Sequence, residues 1–196
     1  MTSSKALLRT LAVFVPLALL SASCGDDESD GDKPPAQQSI PAGVAEQYTV
    51  LEAEIAANGG SATAGDYRVG YIVEAAEPWF QVVDGKQVNR PPAPGETHHI
   101  EIIPMEASTG RIVPDVPIRL EVIGPDGAVV QGQNLNFYYA PFFHYANNFS
   151  VPDGTYTLRA TLQPPTFLRH GGSGEKPALS EGATVTFENV QLKPEG

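Results

Sequence analysis

The chain has 196 residues, with 23 acidic against 12 basic side chains and a formal net charge of -11. That balance makes nucleic acid and anionic lipid surfaces poor partners and cations good ones. With 41% hydrophobic residues, the length suits one domain with a real core.

The N-terminus reads as a secretory signal over residues 1–23. Lys5 and Arg9 precede an apolar run over residues 11–20, and Ser21, Ala22 and Ser23 follow it. The run is short for a bilayer span, so removal of the segment is expected. Its loss takes away two basic residues and no acidic one, which leaves the mature chain more acidic still. Cys24 is the only cysteine, which excludes an intramolecular disulfide. Its place after small residues resembles the lipobox of bacterial lipoproteins, although Leu20 stands four residues before it rather than three. Acylation of Cys24 would give a membrane anchor; the alternative is a secreted protein with an unpaired thiol. The stretch 24–44, with its run Asp26-Asp27-Glu28-Ser29-Asp30, holds too little apolar surface to fold and reads as a flexible acidic linker.

The domain is expected over residues 45–196. Val44, Tyr48, Leu51 and Ile55 recur at helical spacing, which predicts a helix over 44–57. Beyond it, short alternating segments predict strands over 67–73, 80–83, 98–105, 118–123, 135–139, 156–162 and 185–192. Gly124-Pro125-Asp126-Gly127 and Val151-Pro152-Asp153-Gly154 supply the turn chemistry between them. Without alternating helices or an internal repeat, the fold class is all-β, an immunoglobulin-like antiparallel β-sandwich.

Alternation along 98–105 puts His99, Glu101, Ile103 and Met105 on one face and His98, Ile100 and Ile102 on the other. A histidine and a carboxylate two apart converge above a sheet, as a metal ion requires. His99, Glu101, His144 and His170 would supply imidazole nitrogens and a carboxylate oxygen suited to copper(II), zinc, iron(II) or manganese, and Met105 a thioether that favours copper(I). His98 reads as a rim residue. His144 lies inside the aromatic-rich run 137–148, which predicts a walled site with little water; a packed sandwich edge and a sugar-binding platform are equal readings. A cysteine nucleophile or a cysteine-ligated copper centre is excluded because Cys24 is spent on the anchor. No nucleophile elbow, phosphate-cradling loop or dinucleotide fingerprint is present, so an enzyme is not expected.

From about Tyr67 to His170 the chain resembles the periplasmic iron-transport proteins of about nineteen kilodaltons, which work beside a high-affinity iron permease. The resemblance rests on His99-Ile100-Glu101, His144-Tyr145-Ala146-Asn147-Asn148, Gly154-Thr155-Tyr156, and Pro164-Pro165 followed by His170. It implies a copper site made by His99, Glu101, His144 and His170, an adjacent iron site, and a homodimer with the metal near its interface, across which Tyr138, Phe142 and Phe143 could pack. The family's methionine ligand, seven residues before the His-Tyr motif, is Phe137 here. The function expected is a lipid-anchored extracytoplasmic protein that binds copper and iron and delivers iron to a membrane permease. Two rivals are a surface module binding a protein or glycan, and a metalloenzyme that oxidises iron(II) or removes superoxide. Since neutral imidazole is the ligand form, affinity is expected to fall below pH ~6.5.

Overall fold

The computed structural model describes residues 39–193. The signal segment, Cys24 and nearly all of the acidic linker lie outside the described residues. Helix α1 (Ala42–Asn58) is followed by eleven strands: β1 (Gly59–Ala64), β2 (Tyr67–Ala75), β3 (Trp79–Val83), β4 (Lys86–Arg90), β5 (His98–Glu106), β6 (Ile118–Ile123), β7 (Val129–Asn134), β8 (Asn136–Tyr139), β9 (Phe143–Phe149), β10 (Gly154–Leu162) and β11 (Ala183–Leu192). The helix begins inside the stretch read as linker.

A five-stranded sheet of order β1-β2-β5-β9-β8 faces a four-stranded sheet of order β11-β10-β6-β7, while β3 and β4 form a hairpin of their own. All the pairings are antiparallel, so the protein is an all-β sandwich. Between the two sheets, Val69, Ile100, Ile102, Tyr145 and Phe149 meet Leu120, Val122, Leu158, Ala160 and Leu192 in one apolar core. The expected turn after β6 forms as its residues dictate. Gly127 takes a left-handed φ of 81° that costs glycine little, and its N–H donates to the Gly124 carbonyl at 2.9 Å.

The outer face of the five-stranded sheet is covered too. Leu51 and Ile55 of α1 pack over Ile72, Ile103, Met105 and Phe142 in a second cluster. Gly70 allows this approach, because a Cβ there would stand 2.7 Å from Ile55 Cδ1. Arg68 clamps the helix with a paired contact to Glu52 at 2.5 and 2.7 Å. With cover on both sides, β5 is buried from His98 to Met105. Pro104 is tolerated in this strand because the pairing with β9 ends at Ile102↔Tyr145, so no ladder bond on that side is lost. Among the described residues no helix is long and apolar enough to cross a membrane.

Candidate metal centre

Register alone brings the first two motifs together. On β5, His99 pairs with Asn148 of β9 and Glu101 with Ala146, while on β8 Tyr138 pairs with His144. Period two then puts His99, Glu101, His144, Ala146, Asn148 and Tyr138 on the outer face of one sheet. Ala146, fully buried opposite Glu101, adds almost no bulk, and the longer side chains converge over it. One ligand atom each from His99, Glu101 and His144 lies within 4.8 Å of the others. Glu101 Oε1 is 3.5 Å from His144 Nε2 and 4.0 Å from His99 Nε2. All three residues are buried, at 2–5% exposure.

The far nitrogens of both rings are spoken for. His99 Nδ1 lies 2.9 Å from Asn148 Oδ1 and His144 Nδ1 lies 3.3 Å from the Phe142 carbonyl. Each oxygen is an acceptor, so each Nδ1 carries the proton and each Nε2 presents its lone pair toward Glu101. Glu101 Oε2 is buried with no hydrogen-bond partner. A buried carboxylate oxygen without a donor, beside two imidazole lone pairs, is a cradle that lacks a positive charge.

Burial sets the protonation of this cradle. It pushes the Glu101 carboxyl from its ordinary 4.5 up to about 9, with Glu74, Glu54 and Glu77 adding repulsion. It pulls His144 from 6.5 down to about 4, helped by the neighbouring His99, and lowers His99 as well. Near neutral pH the contacts among the three are therefore between neutral groups, not ion pairs. The expectation that histidine protonation weakens metal binding below pH ~6.5 needs correction. His144 stays neutral down to about 4, and the proton that a cation must displace at neutral pH is the one on Glu101.

The wall around His144 differs from the expectation of rings on every side. Tyr138 stacks on it (centroids 5.6 Å apart, planes at 8°) and Phe142 meets it edge-on at 5.7 Å. Phe137, Tyr139 and Phe143 are exposed and contact one another outside the cluster. Phe137, the position matched to the family methionine, packs against Tyr145 on the opposite face. Tyr138 is the β8 residue that faces the histidines. Phe142 is buried beneath α1 and unavailable for packing across a partner.

The other predicted ligands lie apart from the cluster. Met105 belongs to the apolar cluster under α1, with its sulfur 3.7 Å from an Arg68 nitrogen. His170 is exposed in the loop between β10 and β11. That loop sits at the other end of the sandwich, where the Tyr67 hydroxyl donates to the Glu181 carbonyl at 3.2 Å and Tyr67 pairs with Glu106. At about 3.3 Å per residue, Glu106 is on the order of 20 Å from His99. His98 is fully buried rather than on the rim. Thr97, the residue before it, sets its Oγ1 2.9 Å from Nδ1, and the loop after β9 brings Asp153 Oδ1 to 3.4 Å from Nε2.

Around His99 and His144 opens a cleft of about 720 Å³ lined by Glu77, Trp79, Phe80, Gln87, Asn136, Tyr138 and Tyr139 among others. Sequence reasoning missed Trp79 and the tie between Asn148 and His99, and it gave Tyr138 only as one ring of the run around His144. Alternation from His144 would have pointed to Asn148, but Tyr138 and Trp79 depend on pairings the sequence does not print.

No family model matches the chain and no curated protein matches it in sequence. Its fold is that of solved structures of FetP and P19. FetP of uropathogenic E. coli strain F11, expressed in the periplasm, is 18% identical with a TM-score of 0.50, over 69% of this chain and 96% of that one. Copper-reconstituted P19 from Campylobacter jejuni is 17% identical with a TM-score of 0.52, over 69% and 96%. A copper-bound methionine-to-isoleucine variant of that P19 is 15% identical with a TM-score of 0.50, over 69% and 98%.

Proposed function

We propose that this chain is a lipid-anchored, extracytoplasmic metal-binding protein of iron uptake, which binds copper and iron and passes iron to a membrane permease. The observation that carries the reading is the buried His99–Glu101–His144 cluster, in which one ligand atom from each residue lies within 4.8 Å of the others, both Nε2 atoms lie within 4.0 Å of Glu101 Oε1, and Oε2 has no hydrogen-bond partner. Two imidazoles and one carboxylate, with no thiolate, suit copper(II), zinc or iron(II). Copper is favoured because P19, which shares the fold, has been crystallised with copper. Iron transport, the permease and the anchor at Cys24 come from the sequence resemblance and the lipobox-like segment.

The chemistry is binding rather than turnover. His99 and His144 hold the ion, and Glu101 gives up its proton and lends negative charge. Tyr138 and Phe142 keep water from the ring of His144. His170 joins this set in a homodimer whose interface lies at the metal, the partner copy lending its exposed loop. Exposed Phe137 and Tyr139, which line the cleft, are suited to such an interface.

The test is a metal titration of the protein beside a His99→Ala/His144→Ala variant, with copper(II), iron(II) and zinc each in turn. One equivalent of copper on the parent and none on the variant is the expected result. Negligible metal on both would sink the reading in favour of a surface interaction module. Continued oxygen consumption with iron(II) would favour an enzyme.

A further inference from the structure

The β3–β4 hairpin stands apart from both sheets, and only the residues at its base, Trp79 and Arg90, are not fully exposed. The two pair across the hairpin, and the Arg90 guanidinium lies 4.0 Å over the Trp79 ring. From this base two chains of contact run to the metal ligands. Trp79 meets Tyr138 edge-on at 5.7 Å, and Tyr138 stacks on His144. Arg90 donates to both oxygens of Glu96 at 2.6 and 2.7 Å. Glu96 Oε2 also accepts from the Ala93 N–H at 2.7 Å and from Asn148 Nδ2 at 3.1 Å.

The amide of Asn148 is the decisive joint. The Glu77 backbone grips both ends of it, its N–H donating to Oδ1 at 3.2 Å and its carbonyl accepting from the NH₂ at 2.8 Å, and the Glu96 carboxylate adds a charged acceptor for the NH₂ at 3.1 Å that cannot donate to it. Its oxygen must therefore turn to His99 Nδ1. If that amide were free to flip, its NH₂ would meet Nδ1, the ring proton would move to Nε2, and the lone pair needed by a metal would be lost.

We propose that Glu96, gripped by Arg90, is a positioning residue for the metal centre, acting through Asn148 to select the His99 tautomer whose Nε2 binds metal. The inference rests on the metal-binding reading above. It makes the seating of the hairpin part of the site's affinity: a partner that draws Arg90 away from Glu96 loosens the ion, and by linkage the bound ion holds the hairpin down.

The experiment compares the parent with Glu96→Ala and with Glu96→Gln, which keeps the shape and removes the charge. Copper(II) affinity is measured by competition with a chelator, copper(II) geometry by electron paramagnetic resonance, and the His99 tautomer by nitrogen-15 NMR of the metal-free protein. Thermal unfolding checks the fold. The expected result is an about 3- to 10-fold weaker copper affinity in Glu96→Ala, less than loss of a direct histidine partner would give because the Glu77 backbone still holds the amide, and a smaller loss in Glu96→Gln. A changed resonance spectrum and a mixed His99 tautomer should accompany them. A parent that binds copper beside variants with affinity within twofold, the same spectrum and the same tautomer would overturn the positioning role and leave the metal reading standing. A parent that binds no metal would overturn both.

Discussion

The two faces of strand β5 are equally hidden from water and put to opposite uses. Ile100 and Ile102 face inward and join an apolar core that spans both sheets. His99 and Glu101, interleaved with them, bury a titratable set whose Glu101 Oε2 has no donor. Ile100 and Ile102 gain free energy from burial, as Ile103 and Met105 do further along the outer face, while His99 and Glu101 lose it. One strand thus carries the stability of the fold and the strain of the site in alternate residues.

The contrast can be tested from either side. The largest effect is expected on the inner face. Ile102→Ala should cost about 2–5 kcal/mol in denaturant unfolding and leave metal stoichiometry unchanged; lost metal with unchanged stability would invert the assignment. On the outer face, Glu101→Leu should abolish tight metal binding yet stabilise the metal-free protein by about 1–3 kcal/mol, because a buried unpaired polar group is removed. A less stable variant would mean that Glu101 has partners in solution.

A third prediction uses pH. The Glu101 carboxyl is raised from 4.5 to about 9, so its stability contribution is fully present below 4.5 and lost as pH rises toward about 9. His144 is lowered from 6.5 to about 4, so its contribution is present above 6.5 and lost as pH falls toward about 4. Above 6.5 only the Glu101 slope remains of the two. Stability of the metal-free protein should decline from pH 6.5 to 9, and Glu101→Gln should flatten that limb; an unchanged limb would assign it elsewhere. Calorimetry in buffers of different ionisation enthalpy should also detect about one proton released per metal bound at pH 7.

The smallest effect belongs to the helix clamp. Arg68 and Glu52 are 31% and 49% exposed, so Glu52→Ala should cost under ~1 kcal/mol. A greater loss would show that the seat of α1 depends on this pair more than on Leu51 and Ile55.

Much of the fold was legible because period two and turn residues write themselves into sequence. The strand over Ile118–Ile123 matches residue for residue, and β2, β5, β10 and β11 differ only at their ends. The elements that were missed lack that signal. Gly59–Ala64 is made of small residues, and Lys86–Arg90 and Val129–Asn134 are polar and largely exposed. In β9 the aromatic run hid the strand, so its rings read as a cluster around His144 when alternation sends them to two faces. His99, Glu101 and His144 were legible as a set because two of them lie on one strand and the motif order supplied the third. The burial of His98, the covering of Met105 by α1 and the distance of His170 depend on loops and a helix whose docking no local pattern encodes.

Trp79 is the sole tryptophan of the chain, and Tyr138 is the one ring between it and the imidazole of His144. Its indole emission is therefore a built-in gauge of site occupancy. A paramagnetic ion such as copper(II) should quench it, a filled-shell ion such as zinc should leave it bright, and filling and emptying can be followed in real time without a label.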